Sequence, residues 1–262
     1  MSQVFIFMVV FLTGLVVGSF LNCVIYRLNT KESFLFSRSH CPKCHHILKW
    51  YDLIPILSFI IVKGKCRYCQ KKISWQYPLV EIFTGLIFLL LVTCHLSLVT
   101  LIYYIVVSSL LIVIFVYDLK HYIIPDKIIY PVIVIVFLYR ILSFGHWSLG
   151  FGIFEGLKMP LIVGFSAGGF FFLIWLISRG RWMGFGDVKL GFFMGLFLSW
   201  PNILVALFSA FFIGAIIGIG LIIAGKKTLK SQVPFGPFLV TGTFIALFWG
   251  QNLINWYLSL IT

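Results

Sequence analysis

Seven acidic side chains stand against 20 lysines and arginines in 262 residues. Two of the seven lie where an acid is expensive. Asp118 closes an apolar run in IFVYDLKHYIIPDKIIYP, and Asp187 opens another in GFGDVKLGFFMGLFLSW. An ionisable group beside hydrocarbon carries a desolvation cost and by default suggests function. Two at one level suggest a pair, and paired carboxyl groups can split an amide with water. One takes a proton from water as general base, while the other donates to the carbonyl oxygen or the leaving nitrogen. Gly184 and Gly186 remove side chains beside Asp187, so an extended substrate backbone could approach it closely. The competing reading of each aspartate taken alone is an interfacial helix cap.

A second cluster is formed by cysteines. CPKC at 41–44 and CRYC at 66–69 place Cys41, Cys44, Cys66 and Cys69 in two pairs of C-x₂-C spacing. Each pair can form a knuckle, with two sulfurs converging on one tetrahedral ion, which points to a four-thiolate structural zinc site with no open position. Lys43, Lys65, Arg67, Lys71 and Lys72 favour thiolates over thiols. The alternatives are two disulfides or four free thiols; a reducing compartment disfavours the former. His45 and His46 read as spare surface histidines, and Cys23 and Cys94 as packing residues.

The elements that must position these groups are membrane helices. The chain is 61% hydrophobic and only 10% charged, where a soluble domain carries about 25%, so it is an integral membrane protein. Eight apolar segments fall near 4–22, 79–96, 98–117, 128–143, 158–178, 187–200, 203–224 and 238–260, giving an all-α polytopic bundle of about eight spans. The fourth and sixth are short. No basic region precedes the first, so an uncleaved span is expected over 1–22. With the N-terminus outside, eighteen of the twenty lysines and arginines fall in 23–78, 118–127, 179–189 and 225–237. This asymmetry makes those segments cytoplasmic and puts both aspartates on that side. It accounts for the +13 charge through topology and anionic lipid, without nucleic acid. The domain expectation is a first span at 1–22, a cytoplasmic zinc-binding loop at 23–78 and a membrane domain at 79–262.

Other acids read as structural. Asp126 follows Pro125 and suits a turn or helix start. Glu81, three residues after Pro78, is placed in the first turn of the second span, where the helix dipole favours it. Glu32 and Asp52 belong to the polar loop and Glu155 to an outer loop. Gly191 and Gly195, and the small residues of GFSAGGF at 164–170, suit close helix packing.

Together these motifs resemble the type IV prepilin peptidase family of membrane aspartyl proteases. GFGDVKLG matches its G-x-G-D signature, DLKHYIIPD its other aspartate motif, and GSFLNCVIYRL at 18–28 its opening motif. The four-cysteine loop from Cys41 to Glu81 and VPFGPFLVTG at 233–242 are similar to further family segments. Phe185 stands where the family commonly has methionine. The resemblance implies an enzyme of the inner (plasma) membrane, of the type IV pilus and protein secretion kind. Such an enzyme cleaves prepilins and prepilin-like secretion or competence proteins after a basic leader ending in glycine. It implies Asp118 and Asp187 as the catalytic pair, 79–262 as the peptidase domain and the four cysteines as metal ligands. Many members also methylate the new N-terminus with S-adenosylmethionine; no glycine loop of the dinucleotide type marks a binding site for it here. Three alternatives remain open: a peptidase alone, an ion-coupled transporter, or a membrane scaffold. A transporter would favour internal repeats and acids at the midplane, and neither is evident.

Overall fold

The computed structural model describes residues 3–28, 30, 33, 38–144, 152–225 and 233–260. Glu32, the Glu155 side chain and the three lysines of 225–237 lie outside the described residues. Nine α-helices are described: α1 Gln3–Arg27, α2 Leu57–Ile61, α3 Gln76–Thr93, α4 Leu98–His121, α5 Asp126–Phe144, α6 Gly152–Ser178, α7 Phe185–Leu198, α8 Asn202–Ile223 and α9 Gly236–Ser259. No strand occurs among the described residues, and the all-α expectation holds.

Every expected apolar segment is helical. Six helices (α1, α3, α4, α6, α8 and α9) are long and apolar enough to cross a bilayer. The other two differ for separate reasons. α5 carries Asp126, Lys127 and Arg140. α7 has 14 residues, about 21 Å of helix against ~30 Å of hydrocarbon.

The chain divides into two compact units, Met1–Val113 and Ile114–Thr262, with the boundary inside α4. In the first, α1 packs on α3 at small residues: a Cβ on Gly14 would stand 2.6 Å from the Cα of Gly85, and one on Gly18 2.7 Å from that of Glu81. Asn22 then bonds α1 to the start of α3, donating to the Tyr77 carbonyl at 3.1 Å and accepting from Gln76 Nε2 at 3.2 Å.

In the second unit α6 lies against α7, with Gly164 and Gly195 in near backbone contact, and α8 lies against α9. The small residues of GFSAGGF thus serve packing in part, since Gly164 and Gly168 both abut Phe192. α5 is clamped to α7 at both ends. Lys189 and Asp126 pair at 2.6 Å at one, and Arg140 donates to the Phe197 carbonyl at 2.6 Å at the other.

Two expectations are corrected. α3 begins at Gln76, so Pro78 lies inside its first turn, where a missing N–H costs nothing. Glu81 is therefore the sixth residue, a turn deeper than expected. It is held by hydrogen bonds from the Ile56 N–H, at 2.8 Å, and from Ser19, rather than by the helix end. Cys94 is exposed at the C-terminal cap of α3 instead of packed.

Candidate active site and metal centre

Asp118 lies three residues before the last residue of α4, His121, and is buried. The helix stops because Tyr122 takes a left-handed φ of 57° and donates its N–H to the Asp118 carbonyl at 2.8 Å. Pro125 restarts it, its carbonyl accepting the N–H groups of Ile128 and Ile129 at 3.0 Å. The turn is short and buries Ile124.

Asp187 is the third residue of α7 and is also buried. Gly184 caps that helix in extended backbone, accepts the Asp187 main-chain N–H at 3.1 Å, and hydrogen-bonds the carboxyl group through its own N–H. A Cβ on Gly184 would lie 3.8 Å from Asp187 Oδ2, ordinary contact distance, so the glycine leaves one side of the carboxyl group open. Gly186 has a different surrounding. A Cβ there would meet Ile124 Cβ at 2.9 Å, so its missing side chain is what lets the α4–α5 turn close on α7.

A third helix end completes the site. The backbone N–H of Gly236, first residue of α9, hydrogen-bonds the Asp118 carboxyl group. The first N–H groups of a helix have no partner within it and suit an acidic group. A Cβ on Gly236 would stand 2.5 Å from Asp118 Oδ2 and 3.4 Å from Ile124 Cδ1. The C-terminal end of α4 and the N-terminal ends of α7 and α9 therefore converge, and the two carboxyl groups are near enough for the charge on Asp118 to act on Asp187.

Three contributors were not foreseen: Gly236, Ile124 and the Lys189–Asp126 pair. Gly-Pro at 236–237 is a helix-start signal inside a motif already singled out. Nothing local says which acid that helix end meets. Asp126 does open α5 as expected, and it also binds Lys189, whose ammonium lies 4.8 Å from the Tyr130 ring centroid and 5.4 Å from that of Phe185. Phe185 in turn packs edge-on against Trp175. Beside Lys189 runs an apolar groove of about 440 Å³ between α5, α6 and α7, walled by Tyr130, Gly168, Gly169, Val188 and Phe192.

The four cysteines come together. Their Sγ atoms all lie within 4.8 Å of one another, with Cys41 and Cys69 at 4.0 Å. The knuckles share one backbone design. Cys41 N–H donates to His46 O and His45 N–H to Cys41 O; Cys66 N–H donates to Lys71 O and Gln70 N–H to Cys66 O. His45 and Gln70 both take φ of 55° to allow it. Burial opposes ionisation of the Cys41 thiol, but hydrogen bonds from the Lys43 and Cys44 backbone outweigh it and bring the thiol down to about 7. Thiolates bind zinc at ~2.3 Å in a tetrahedron, which spaces sulfurs about 3.8 Å apart, so the cluster can hold such an ion. His45 and His46 are exposed, ringed against His40 and Tyr68.

Comparison with known proteins agrees along most of the chain. Residues 12–95 match the bacterial peptidase A24 N-terminal domain, and residues 105–219 match the type IV leader peptidase family. Proteins named prepilin leader peptidase/N-methyltransferase align over most of its length. That of Aeromonas salmonicida (strain A449) is 31% identical, covering 97% of this chain and 94% of the relative. That of Bacillus subtilis (strain 168) is 32% identical, covering 96% and 98%, and that of Legionella pneumophila 29%, covering 97% and 95%. No solved structure matches. This chain belongs to the type IV leader peptidase family.

Proposed function

We propose that this integral membrane protein is a prepilin leader peptidase that also methylates the N-terminus it creates. The observation that carries the peptidase reading is the meeting of two buried aspartates, 69 residues apart in sequence, at three helix ends. Asp118 and Asp187 are the catalytic pair. One carboxylate takes a proton from water as its oxygen adds to the scissile carbonyl. The other, protonated, donates to the carbonyl oxygen; as the C–N bond breaks, the first carboxyl group gives the water's proton to the leaving amine, and the second takes back a proton from the tetrahedral intermediate's hydroxyl. Roles belong to the pair rather than to either residue. The opening beside Gly184 admits the extended residue at the cut, and a glycine there fits because little room remains. The substrate's apolar helix passes laterally along the groove beside Lys189, whose wall includes Val188, the residue after Asp187.

Asp118 and Asp187 then face the cytoplasm, as the lysine and arginine distribution requires, with the N-terminus outside and the chain in the inner membrane. Residues 79–262 form the peptidase domain and 23–78 the loop domain. Cys41, Cys44, Cys66 and Cys69 bind one structural zinc ion, which ties the two knuckles together and leaves no position for a reacting water. S-adenosylmethionine is the methyl donor. The substrates are prepilins or prepilin-like secretion proteins.

Incubation with a model prepilin, with and without S-adenosylmethionine, followed by mass measurement, tests both activities. Loss of the leader reports cleavage, and a gain of one methyl group on the product reports transfer. An intact prepilin with folded, zinc-loaded protein would overturn the peptidase reading. Cleavage without added methyl would leave a peptidase alone.

A further inference from the structure

The segment between the knuckles is longer than metal binding needs, and it contains the five-residue helix α2, LSFII. A helix so short has no stability of its own. It also exposes what a loop in water would hide: Leu57 is 57%, Ile60 62% and Ile61 67% accessible.

Three contacts fix the level at which α2 lies. Asn22 ties the C-terminal part of α1 to Gln76 and Tyr77, so both helices reach one boundary there. The Phe59 ring lies 5.1 Å from that of Trp75, the residue directly before α3. Ile56, the residue before α2, donates its N–H to Glu81, which sits about 8 Å down α3 from its start. The Ile56 N–H and the Phe59 ring thus hold α2 close to the N-terminal end of α3. With 18 residues α3 is about 27 Å long, against ~30 Å of hydrocarbon, so it has no turn to spare for water. The exposed side chains of α2 are at the hydrocarbon edge.

The charge around them matches that position. Lys63, Lys65, Arg67, Lys71 and Lys72 follow within eleven residues and are all exposed. Asp52, the one acid among the described residues of this loop, is already paired with Arg67 at 3.1 Å. Trp75, 70% accessible beside Phe59, has the amphipathic ring that favours the headgroup region.

We propose that α2 is a membrane anchor. Leu57, Ile60 and Ile61 insert into the leaflet at which α1 ends and α3 begins, and Lys63 and Lys65 bind anionic phospholipid headgroups. The four-cysteine loop is then seated in the membrane surface rather than free in water. The inference needs α3 to cross the bilayer; it does not need the peptidase reading.

The test uses the zinc-loaded full chain in nanodiscs of phosphatidylglycerol or phosphatidylcholine. p-Benzoylphenylalanine replaces Ile60, Ile61 or, as a control on a knuckle, Lys43, and adducts are identified by mass after irradiation in the presence of a model prepilin. Phospholipid adducts are expected at positions 60 and 61 and none at 43. K63E/K65E should lower the position-61 adduct at least about fivefold in phosphatidylglycerol and leave it unchanged in phosphatidylcholine. Adducts at 60 and 61 to prepilin or to a second copy in place of lipid would overturn the proposal. So would lipid adducts equally strong at 43, or a charge reversal without effect in anionic lipid.

Discussion

The cysteine loop and the aspartate site each gather groups of one kind, and they do so by opposite means. In the loop each half is local. Two six-residue knuckles repeat the same backbone hydrogen bonds, and only their meeting involves distance along the chain. The aspartate site has no local half. Asp118, Asp187 and Gly236 come from the ends of three helices, and what joins them is the absence of side chains at Gly186 and Gly236 together with the wedge of Ile124. A local site is fixed by its ligands. A site of helix ends is fixed by how closely those ends approach, so residues without reactive groups matter as much as those with them.

Removing an aspartate separates the two regions most sharply. Asp118→Asn and Asp187→Asn should each lower prepilin cleavage by about 10³-fold or more, since an amide cannot pass a proton. Zinc per chain, measured on the same preparations, should not change. Cleavage within tenfold of the unaltered protein by either variant would end the paired mechanism.

Gly236→Ala tests whether approach counts as heavily as chemistry. The added Cβ would fall 2.5 Å from Asp118 Oδ2, so the carboxyl group or α9 must move by about 1 Å, a displacement that can cost roughly 10²-fold. Gly184→Ala, with its Cβ at 3.8 Å from Asp187, should leave the carboxyl group in place. Its loss should appear in KM, as the approach narrows, with kcat largely retained. If the two alanines behaved alike, Gly236 would have no special part.

How much was legible follows the same division. The cysteine knuckles could be read because C-x₂-C fixes a local geometry, and the aspartates because a carboxylate stands out in apolar sequence. Helix existence was legible for the same reason. Helix ends were less so: Pro78 looked like a start, yet α3 begins two residues earlier, which moved Glu81 from a dipole position to an anchor for the Ile56 N–H. Ile124 carried no signal of its own, and Gly236, before a proline, signalled a helix start but not the acid that the start meets. Their meaning lies in what they touch across 118 and 62 residues, from Asp118 to Gly236 and from Ile124 to Gly186.

Breaking the loop should affect the metal first and the peptidase less. Cys41→Ser should take zinc from about one per chain to near zero, because one lost thiolate opens a closed site. The 41–69 segment should then become sensitive to protease. Cleavage of prepilin should fall only severalfold, far less than for Gly236→Ala. A zinc-free protein with the segment still protected would remove the metal from the account.

The smallest effect concerns the clamp between α5 and α7. Asp126 is well exposed and Lys189 mostly covered, their side chains 61% and 15% accessible, so the pair is partly screened by water. A half-exposed ion pair contributes 0.2–1 kcal/mol, which is about 1.4- to fivefold if all of it bears on the geometry of Asp187. Lys189 also lies over the Tyr130 and Phe185 rings, so Lys189→Ala loses packing as well as charge. Lys189→Met keeps most of the packing and isolates the charge. If the ion pair positions Asp187, Lys189→Met and Asp126→Asn should each slow cleavage by about twofold to fivefold, and the double variant should be no slower than either. The reciprocal exchange Asp126→Lys with Lys189→Asp should recover part of the rate. Arg140 holds the far end of α7 through the Phe197 carbonyl, so the helix should stay docked throughout. Additive losses in the double variant would instead mean that the two residues act separately, and that the ends of α5 hold α7 by packing alone.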